Sequence, residues 1–265
     1  MKTFLAPAKI NLFLRVLNKR EDGYHNLASL FQTIDLADQI QLELSDEDQF
    51  TCSHSEVDPK DNLVLKALAL FRSKVDKPFK IKIHLVKNIP LQSGLGGGSS
   101  NAAATLNGLN ELLSQPLTDE ELFHLACQLG SDVPYFLKPG PAYCEGKGEQ
   151  IKRIKKLESQ PVWIVKPPFG LPTPEVYKCL DLKQLKDRDP KTSLESHLFS
   201  KGEYYNDLEE AAFSLQPTLR DIKNTLLSQG FTNVILSGSG SSFFCIGQGY
   251  PEMPPTFFTR KSNFL

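Results

Sequence analysis

NIPLQSGLGGGSSNAA, residues 88–103, places four glycines within five positions, Gly94 and Gly96–Gly98. Glycine loses more conformational freedom on folding than any other residue, so a stable protein retains such a run for a reason. The alternating stretch FKIKIHLVKNI precedes the glycines and predicts a strand, and leucines at helical spacing follow them. The sequence therefore predicts a strand that enters a helix through a glycine turn.

A glycine turn at the start of a helix can cradle an anion. Without side chains the backbone can approach a phosphate closely, and the first free N–H groups of the helix point toward it. The helix dipole adds partial positive charge, and Ser99 and Ser100 supply hydroxyl groups. The alternatives are a flexible linker or a glycine turn packed against a neighbour. A nucleotide phosphate is favoured because a linker would be longer and polar on both sides.

The familiar nucleotide and hydrolase motifs are missing from the sequence. No lysine follows the glycines as a Walker A loop requires, and Ser99 stands where the dinucleotide fingerprint needs its third glycine. The HRD and DFG motifs of protein kinases, the HExxH motif and the GxSxG elbow do not occur either. The glycine loop must belong to another class of phosphate-binding protein.

The composition is that of an ordinary globular protein, with 265 residues, 40% hydrophobic and 23% charged. A net charge of −1 argues against a general nucleic-acid or membrane-surface binder. The five cysteines form no CxxC pair, which is typical of reduced thiols in the cytosol. Polar residues interrupt the apolar N-terminal stretch, so it resembles neither a signal peptide nor a membrane span. We expect a cytoplasmic protein, monomeric by default, with no nucleic-acid or membrane partner.

Strand and helix patterns are mixed without strict alternation, which predicts an α+β fold. Strands are expected over residues 2–17, in SLFQTIDLADQIQLEL, around the turn-rich CEGKGEQ, and in NVILS and FFCIG. Helices are expected after Asp61 and Asn62, after the Thr118 capping box, and over residues 174–180, 206–214 and 217–229. Prolines cluster in KPPFGLPTPEVY, and we expect an inter-lobe junction around residues 155–170.

Three segments resemble the motifs of the GHMP small-molecule kinase superfamily, which includes galactokinase, homoserine kinase and mevalonate kinase. They are APAKINLFL, the glycine loop PLQSGLGGGSSNAA, and LSGSGSSFF. Within that superfamily, PAKINLFLRV and DGYHNLASLFQTIDLAD resemble the branch that phosphorylates 4-diphosphocytidyl-2-C-methyl-D-erythritol in the non-mevalonate isoprenoid pathway. GSDVPYFL and GKGE support the same branch, and the resemblance extends over nearly the whole chain.

The resemblance implies a two-lobed α+β fold, each lobe a mainly antiparallel sheet with packed helices and the active site in the cleft between lobes. We expect an ATP- and substrate-binding N-terminal lobe over residues 1–155 and a C-terminal lobe, shortened at its end, over residues 156–265. The implied reaction uses ATP and Mg²⁺ to phosphorylate the 2-hydroxyl of the small-molecule cytidine diphosphate substrate, giving the 2-phosphate and ADP.

Two residues match the catalytic pair of the superfamily. Asp132, in GSDVP, corresponds to the catalytic acid and is the candidate base, and Lys9 corresponds to the catalytic lysine. An ammonium near the substrate hydroxyl favours its deprotonation and stabilises charge on the transferring group. A structural Lys9–Asp132 ion pair is the alternative. Whether Asp132 removes the proton or only orients the hydroxyl stays open, because the transition state is loose.

The remaining site residues that the resemblance implies form two groups. Tyr24 is expected to stack on cytosine, and Ser100 to contact magnesium, the only metal expected. The ATP-binding residues are Pro90, Leu91, Gln92, Ser93, Gly94, Leu95, Gly96, Gly97, Gly98, Ser99 and Ser100. The substrate-binding residues are Asn11, Tyr24, His25, Thr173, Tyr177, Gly238 and Ser239. The alternative to a substrate-binding turn at Gly238 is an ordinary hairpin turn that connects two strands.

The chain departs from the superfamily pattern at three places. Gln92 and Ser93 are bulkier than the small residues usual there, CEGKGE is less arginine-rich, and the tail after CIG lacks an amphipathic helix. Another kinase of the superfamily, or its decarboxylase relative, is the nearest rival hypothesis. A non-catalytic nucleotide or metabolite sensor on the same fold is a rival from a different class. The retention of Lys9 and Asp132 argues against a sensor, which has no use for a phosphoryl-transfer pair.

Overall fold

The protein was analysed as a computed structural model that describes residues 1–55 and 62–265. The chain forms two compact units, and each is assembled from separate segments of sequence. The first unit comprises residues 1–8, 37–89 and 96–139, and the second comprises residues 9–36, 90–95 and 140–265. The expected lobe boundary at residues 155–156 stays a prediction.

Two long strands, β1 (Lys2–Lys19) and β2 (His25–Ser45), contribute residues to both units. Both coincide with the stretches in which the sequence predicts extended structure. The turn between them is closed by hydrogen bonds from the Arg20 amide to the Tyr24 carbonyl, 2.8 Å, and from the Gly23 amide to the Arg20 carbonyl, 3.2 Å. Gly23 has φ +84°, a value that glycine adopts without steric cost.

Among its described residues, the first unit combines two further strands with four helices. These are β3 (Gln49–Cys52), α1 (Leu63–Arg72), β4 (Lys80–Val86), α2 (Gly97–Leu112), α3 (Asp119–Leu129) and α4 (Val133–Leu137). β4 is antiparallel to β2 and parallel to β3. Its side chains alternate between buried and partly exposed, as the sequence predicts. The five-residue α4 was not predicted, since it is too short to show a helical repeat.

Helix caps in the first unit follow the sequence. Asn62 caps α1 by accepting a hydrogen bond from the Val64 amide, 2.9 Å, while Asp61 lies outside the described residues. At α3, the Thr118 side chain and the Glu121 side chain satisfy each other's backbone amides, so the predicted capping box is present. Val64, Ala67, Leu68 and Phe71 form the buried face of α1.

The second unit holds the remaining elements, some of which complete the sheet of β1 and β2. Its elements are β5 (Ala142–Gly146), β6 (Gln150–Arg153), β7 (Pro161–Lys166), α5 (Thr173–Lys178), a short 3-10 helix (Leu182–Gln184), α6 (Pro190–Leu198), β8 (Tyr205–Asn206), α7 (Glu209–Leu215), α8 (Thr218–Ser228), β9 (Phe231–Leu236), β10 (Phe243–Gly247) and β11 (Phe258–Asn263). β5 is antiparallel to β2 and to β6, and β8 is parallel to β1.

A four-stranded antiparallel sheet, in the order β11-β7-β10-β9, carries the apolar core of the second unit. Leu219 and Leu226 of α8 pack in the same buried cluster as Leu236 and Phe243. The sequence does not predict α6, because PKTSLESHL buries only His197 and shows no apolar stripe. The predicted α+β class with mainly antiparallel sheets is confirmed. Within residues 1–55 and 62–265, no helix combines the length and apolar character needed to cross a membrane.

Candidate active site

Lys9 and Asn11 lie on β1 with their side chains toward the same side, as the two-residue period of a strand requires. Both are buried, at 4% and 1% exposure. The Lys9 ammonium donates to Asn11 Oδ1 at 2.7 Å and lies 4.8 Å from the centre of the Phe31 ring. Asn11 Nδ2 donates to Ser29 Oγ at 2.9 Å. This chain of contacts holds a buried cation in one orientation.

The second glycine turn lies against these two residues. Gly238 has φ +60°, and a Cβ on it would lie 3.4 Å from Lys9 Nζ and 3.5 Å from Asn11 Oδ1. The turn joins β9 to β10, and its Ser237 amide donates to the Ser242 carbonyl at 2.9 Å. It is therefore the hairpin turn that the sequence allows, and it also borders the buried lysine.

Gly94 and Gly240 bring the first part of the glycine loop into backbone contact with this hairpin turn. A Cβ on Gly94, whose φ is +78°, would overlap the Ser237 carbonyl, and a Cβ on Gly240 would overlap the Gly94 amide. The Ser242 amide donates to the Ser93 carbonyl at 3.2 Å, and Ser237 Oγ donates to the Gly94 carbonyl at 3.1 Å. These glycines are fixed by close packing of two backbones, which excludes a free linker at this end of the loop.

The second part of the loop opens α2. Gly96 occupies the N-cap position at φ +71°, and no acidic residue lies in the first turn of the helix. The Ser100 amide bonds to the Gly96 carbonyl at 2.9 Å, so the amides of Gly97–Ser99 precede the first intrahelical bond. Ser100 Oγ is buried and has no hydrogen-bond partner among the described residues. This end of α2 suits an anion and a cation bound to it.

Asp38 organises the ends of the loop in the first unit. Its buried carboxylate accepts hydrogen bonds from the amides of Asn88, 2.6 Å, and Ile89, 2.8 Å. Asn101 Nδ2 donates to it at 2.8 Å, and the Lys87 ammonium pairs with it. Four donors on one carboxylate fix the segment before the loop relative to the helix after it. The sequence interpretation missed this network, whose signal is an acidic residue within the buried strand pattern LADQI.

The predicted cytidine-binding residues form two groups in the second unit. The His25 and Tyr177 rings stack with centroids 5.1 Å apart and planes at 22°. Burial, together with Lys19, lowers the pKa of His25, which favours the neutral imidazole. Tyr24 is 60% exposed, and the Lys147 ammonium lies 4.8 Å from its ring centre, a contact that the sequence interpretation missed.

Thr173 and Ser239 are joined by a hydrogen bond between their hydroxyls, 2.7 Å long. Thr173 begins α5, which also carries Tyr177, and Ser239 follows Gly238 in the hairpin turn. The structure therefore links the helix that carries the stacked tyrosine to the turn that borders Lys9. Both residues were predicted from the resemblance, and their contact with substrate stays a prediction.

Gln92, the residue that departs from the superfamily pattern, adopts a left-handed backbone with φ +51°. Its side chain lies so close to Gly170 that a Cβ at Gly170 would meet it, the Cδ atom at 3.0 Å. Ser93 is buried. The bulk of Gln92 is thus accommodated by a glycine in the proline-rich segment, at the expense of a backbone conformation that favours glycine.

Asp132 belongs to the first unit and lies at the N-cap of α4, half-buried. Lys9 belongs to the second unit, so the expected pairing of these two residues stays a prediction. Among the described residues, no cluster of three histidine, cysteine or acidic side chains suits a resident metal ion.

Comparisons with known proteins show the family to which the chain belongs. Residues 62–140 match the family described as GHMP kinases N terminal domain, and together with the relatives below this match gives the class of the protein, a GHMP small-molecule kinase. The chain is 48% identical over 261 residues to the 4-diphosphocytidyl-2-C-methyl-D-erythritol kinase of Protochlamydia amoebophila, covering 98% of the chain and 88% of that relative. It is 42% identical over 283 residues to the chloroplastic enzyme of that name from Arabidopsis thaliana, covering 98% and 73%.

The chain is also similar in three dimensions to a solved structure. The crystal structure of 4-(cytidine 5'-diphospho)-2C-methyl-D-erythritol kinase is similar at a TM-score of 0.85 and 33% identity, with 99% of each chain covered. The chain belongs to the 4-diphosphocytidyl-2-C-methyl-D-erythritol kinase family. The resemblance of the sequence motifs is thereby confirmed.

Proposed function

We propose that the protein transfers the γ-phosphoryl group of ATP to the 2-hydroxyl of 4-diphosphocytidyl-2-C-methyl-D-erythritol, forming the 2-phosphate and ADP in the non-mevalonate isoprenoid pathway. The observation that carries the proposal is the relationship to enzymes of that name over 98% of the chain. The geometry of the second unit supports the chemistry, because it holds a buried ammonium beside two glycine turns.

Lys9 is the electrostatic centre of the proposed reaction. Phosphoryl transfer depends on positioning and charge stabilisation more than on covalent chemistry. The Asn11 carbonyl oxygen fixes the direction of the ammonium, and the Ser29 hydroxyl fixes the Asn11 amide. A cation held in advance costs no reorganisation when charge develops on the transferring group, so its effect is larger than in water. Asp132 supplies the carboxylate that accepts or orients the hydroxyl proton.

The glycine loop and the first turn of α2 bind the phosphates of ATP. The amides of Gly97–Ser99, which precede the first intrahelical bond of α2, donate to phosphate oxygens, and Gly94 fixes the start of the loop by its close packing against Ser237. The orphaned hydroxyl of Ser100 fits a magnesium ion carried by the nucleotide. When bound, that magnesium ion would neutralise phosphate charge.

The cytidine end of the substrate binds to three aromatic side chains, Tyr24, His25 and Tyr177. The hydrogen bond between Thr173 and Ser239 connects this cytidine site to the turn beside Lys9. Binding energy from the remote cytidine then orients the reacting hydroxyl, which raises turnover as well as affinity. Asn11 and Gly238 contact the substrate close to the hydroxyl. The monomeric state, the cytoplasmic location and the lack of nucleic-acid and membrane partners stay predictions.

A substrate panel tests the proposal. ADP release is measured with ATP, Mg²⁺ and, in separate reactions, the diphosphocytidyl substrate, mevalonate, homoserine and galactose. We expect release only with the diphosphocytidyl substrate, and loss of most turnover in Lys9→Ala and Asp132→Ala while both variants remain folded. Release with another substrate would identify a different GHMP kinase activity. Nucleotide binding with no release for any substrate would indicate a sensor.

A further inference from the structure

Four consecutive residues, Asn206–Glu209, run from the last residue of β8 to the first residue of α7 and are here called the NDLE segment. Its three polar side chains, from Asn206, Asp207 and Glu209, are directed into the protein, and all three bond to backbone atoms of other segments. Buried polar groups cost stability unless they are satisfied, so such a concentration needs a reason. The sequence motifs assigned above do not include the segment.

Asn206 uses its amide to hold the strand end that leads into the hairpin turn. Its Nδ2 donates to the Leu236 carbonyl at 2.8 Å and to the Gly238 carbonyl at 2.7 Å. Its Oδ1 accepts from the Leu208 amide at 3.0 Å. The N–H groups of the Asn206 amide therefore donate to backbone carbonyls at and near Gly238, and the side chain is buried.

Glu209 holds the same strand end from a second direction. Its Oε1 accepts a hydrogen bond from the Leu236 amide at 3.0 Å, and its Oε2 pairs with the Lys223 ammonium at 2.6 Å. Leu236 is thus fixed at both its amide and its carbonyl by side chains of the NDLE segment. An ordinary hairpin turn closed by its own backbone does not require this.

Asp207 ties the segment to β1, the strand that carries Lys9 and Asn11. Its carboxylate accepts from the Val16 amide and from Arg15, both at 2.9 Å, and its own amide donates to the Leu14 carbonyl at 2.9 Å. The NDLE segment therefore contacts β1 on one side and the hairpin turn on the other. A Cβ on Gly238 would have Lys9 Nζ and Asn11 Oδ1 among its three nearest atoms.

We propose that the NDLE segment is a positioning element that sets the distance between the Gly238 turn and the Lys9 ammonium. Asn206 is its principal positioning residue, since it alone bonds to Gly238. This inference rests on the proposed function for its kinetic consequence, but its structural consequence can be measured without any turnover.

Asn206→Asp is the isosteric test. It keeps the oxygen that accepts from the Leu208 amide and replaces both donors with an acceptor that faces two carbonyl oxygens. We expect kcat to fall on the order of 10²-fold, as for a reacting group displaced by about 1 Å. We expect kcat to change more than the KM for ATP, because the Asn206 amide bonds to the carbonyls of Leu236 and Gly238, next to Lys9. Asn206→Ala, which removes the donors without adding charge, serves if the aspartate variant does not fold.

Ile222→Ala is the matched control, because Ile222 is buried in α8 in the same apolar cluster as Leu236 and donates no hydrogen bond to the turn. It lowers stability through a cavity and leaves the bonds to Gly238 in place. We expect it to lower the melting temperature as the Asn206 variants do, while its kcat remains that of the wild type below that temperature.

Amide hydrogen exchange of residues 237–242 provides the readout that is independent of activity. We expect faster exchange in the Asn206 variants than in Ile222→Ala at equal loss of stability. The positioning role would be overturned by equal exchange rates in the Asn206 variants and Ile222→Ala. It would also be overturned if kcat decreased with stability in the same proportion in all variants. A wild-type protein that turns over no substrate would defeat the proposed function, and the exchange comparison would still decide whether Asn206 positions the turn.

Discussion

Gly94→Ala adds one methyl group where the glycine loop and the hairpin turn are in close backbone contact. The added Cβ would overlap the carbonyl oxygen of Ser237 and lie 2.9 Å from the Gly240 amide nitrogen, so it meets backbone on both sides. Neither group can rotate away as a side chain would. The residue also has φ +78°, where an L-amino acid is strained.

The magnitude follows from these two costs. Left-handed strain of about 1–2 kcal/mol is partly offset by about 0.5–1 kcal/mol, because alanine has less conformational freedom to lose than glycine. Overpacking adds about 1–3 kcal/mol. Taken at the middle of each range, these terms add to a loss of about 3 kcal/mol, or roughly 6–12 °C in melting temperature for a chain of this size. Separation of the two turns by about 1 Å should lower kcat/KM about 10²-fold.

Gly98→Ala is the matched control for stability. Its Cβ would lie 3.6 Å from Leu63 Cδ1, an ordinary contact, and the residue lies inside α2. Alanine there is expected to stabilise the protein by about 0.5–1 kcal/mol. Thermal unfolding and coupled ADP release measure both variants. A Gly94→Ala protein with the melting temperature and turnover of the wild type would refute the close packing of the two turns.

Three further outcomes are expected. Tyr177→Ala should raise the KM for the diphosphocytidyl substrate about tenfold through loss of aromatic stacking, with Tyr177→Phe near normal; an unchanged KM would remove Tyr177 from the cytidine site. Gln92→Gly should stabilise the protein by about 0.5 kcal/mol by relieving left-handed strain, and a lower melting temperature would mean that contacts of the Gln92 side chain outweigh the strain. Burial lowers the pKa of His197 below its ordinary value of 6.5. Below about pH 6.5 this histidine therefore binds a proton more readily in the unfolded chain than in the folded chain. Stability should therefore decrease from pH 7 to pH 5, and a His197→Gln variant with the same slope would contradict this cause.

Much of the fold could be predicted from local patterns. The alternation in β4, the Thr118 capping box and the turn at Gly23 each depend on a few neighbouring residues, and each occurs as predicted. Helix α6 was missed because it has no apolar stripe, and strand β8 was missed because its partner is distant in sequence. The two residues of β8 pair with Phe13 and Leu14, about 190 positions earlier, and carry no periodicity of their own.

The candidate site shows the same division. The glycines of the loop are recognisable because close backbone approach restricts which residues can occupy those positions, whereas Lys9 and Asn11 were assigned from the resemblance to the superfamily motif. Asp38 and Asn206 could not be assigned from the sequence, since their roles consist of bonds to backbone atoms, and any residue type can offer those. An isolated acid or amide within an apolar stretch is the only signal that such residues leave in a sequence.

The most direct measurement follows the phosphorus-31 NMR spectrum of the purified protein with ATP, Mg²⁺ and 4-diphosphocytidyl-2-C-methyl-D-erythritol. We expect a new phosphomonoester signal that grows in step with ADP. In a Lys9→Ala variant that is folded to the same extent, we expect this signal to be nearly absent. No phosphomonoester from a folded wild-type protein, or the same rate of formation in Lys9→Ala, would contradict the assignment of a kinase centred on Lys9.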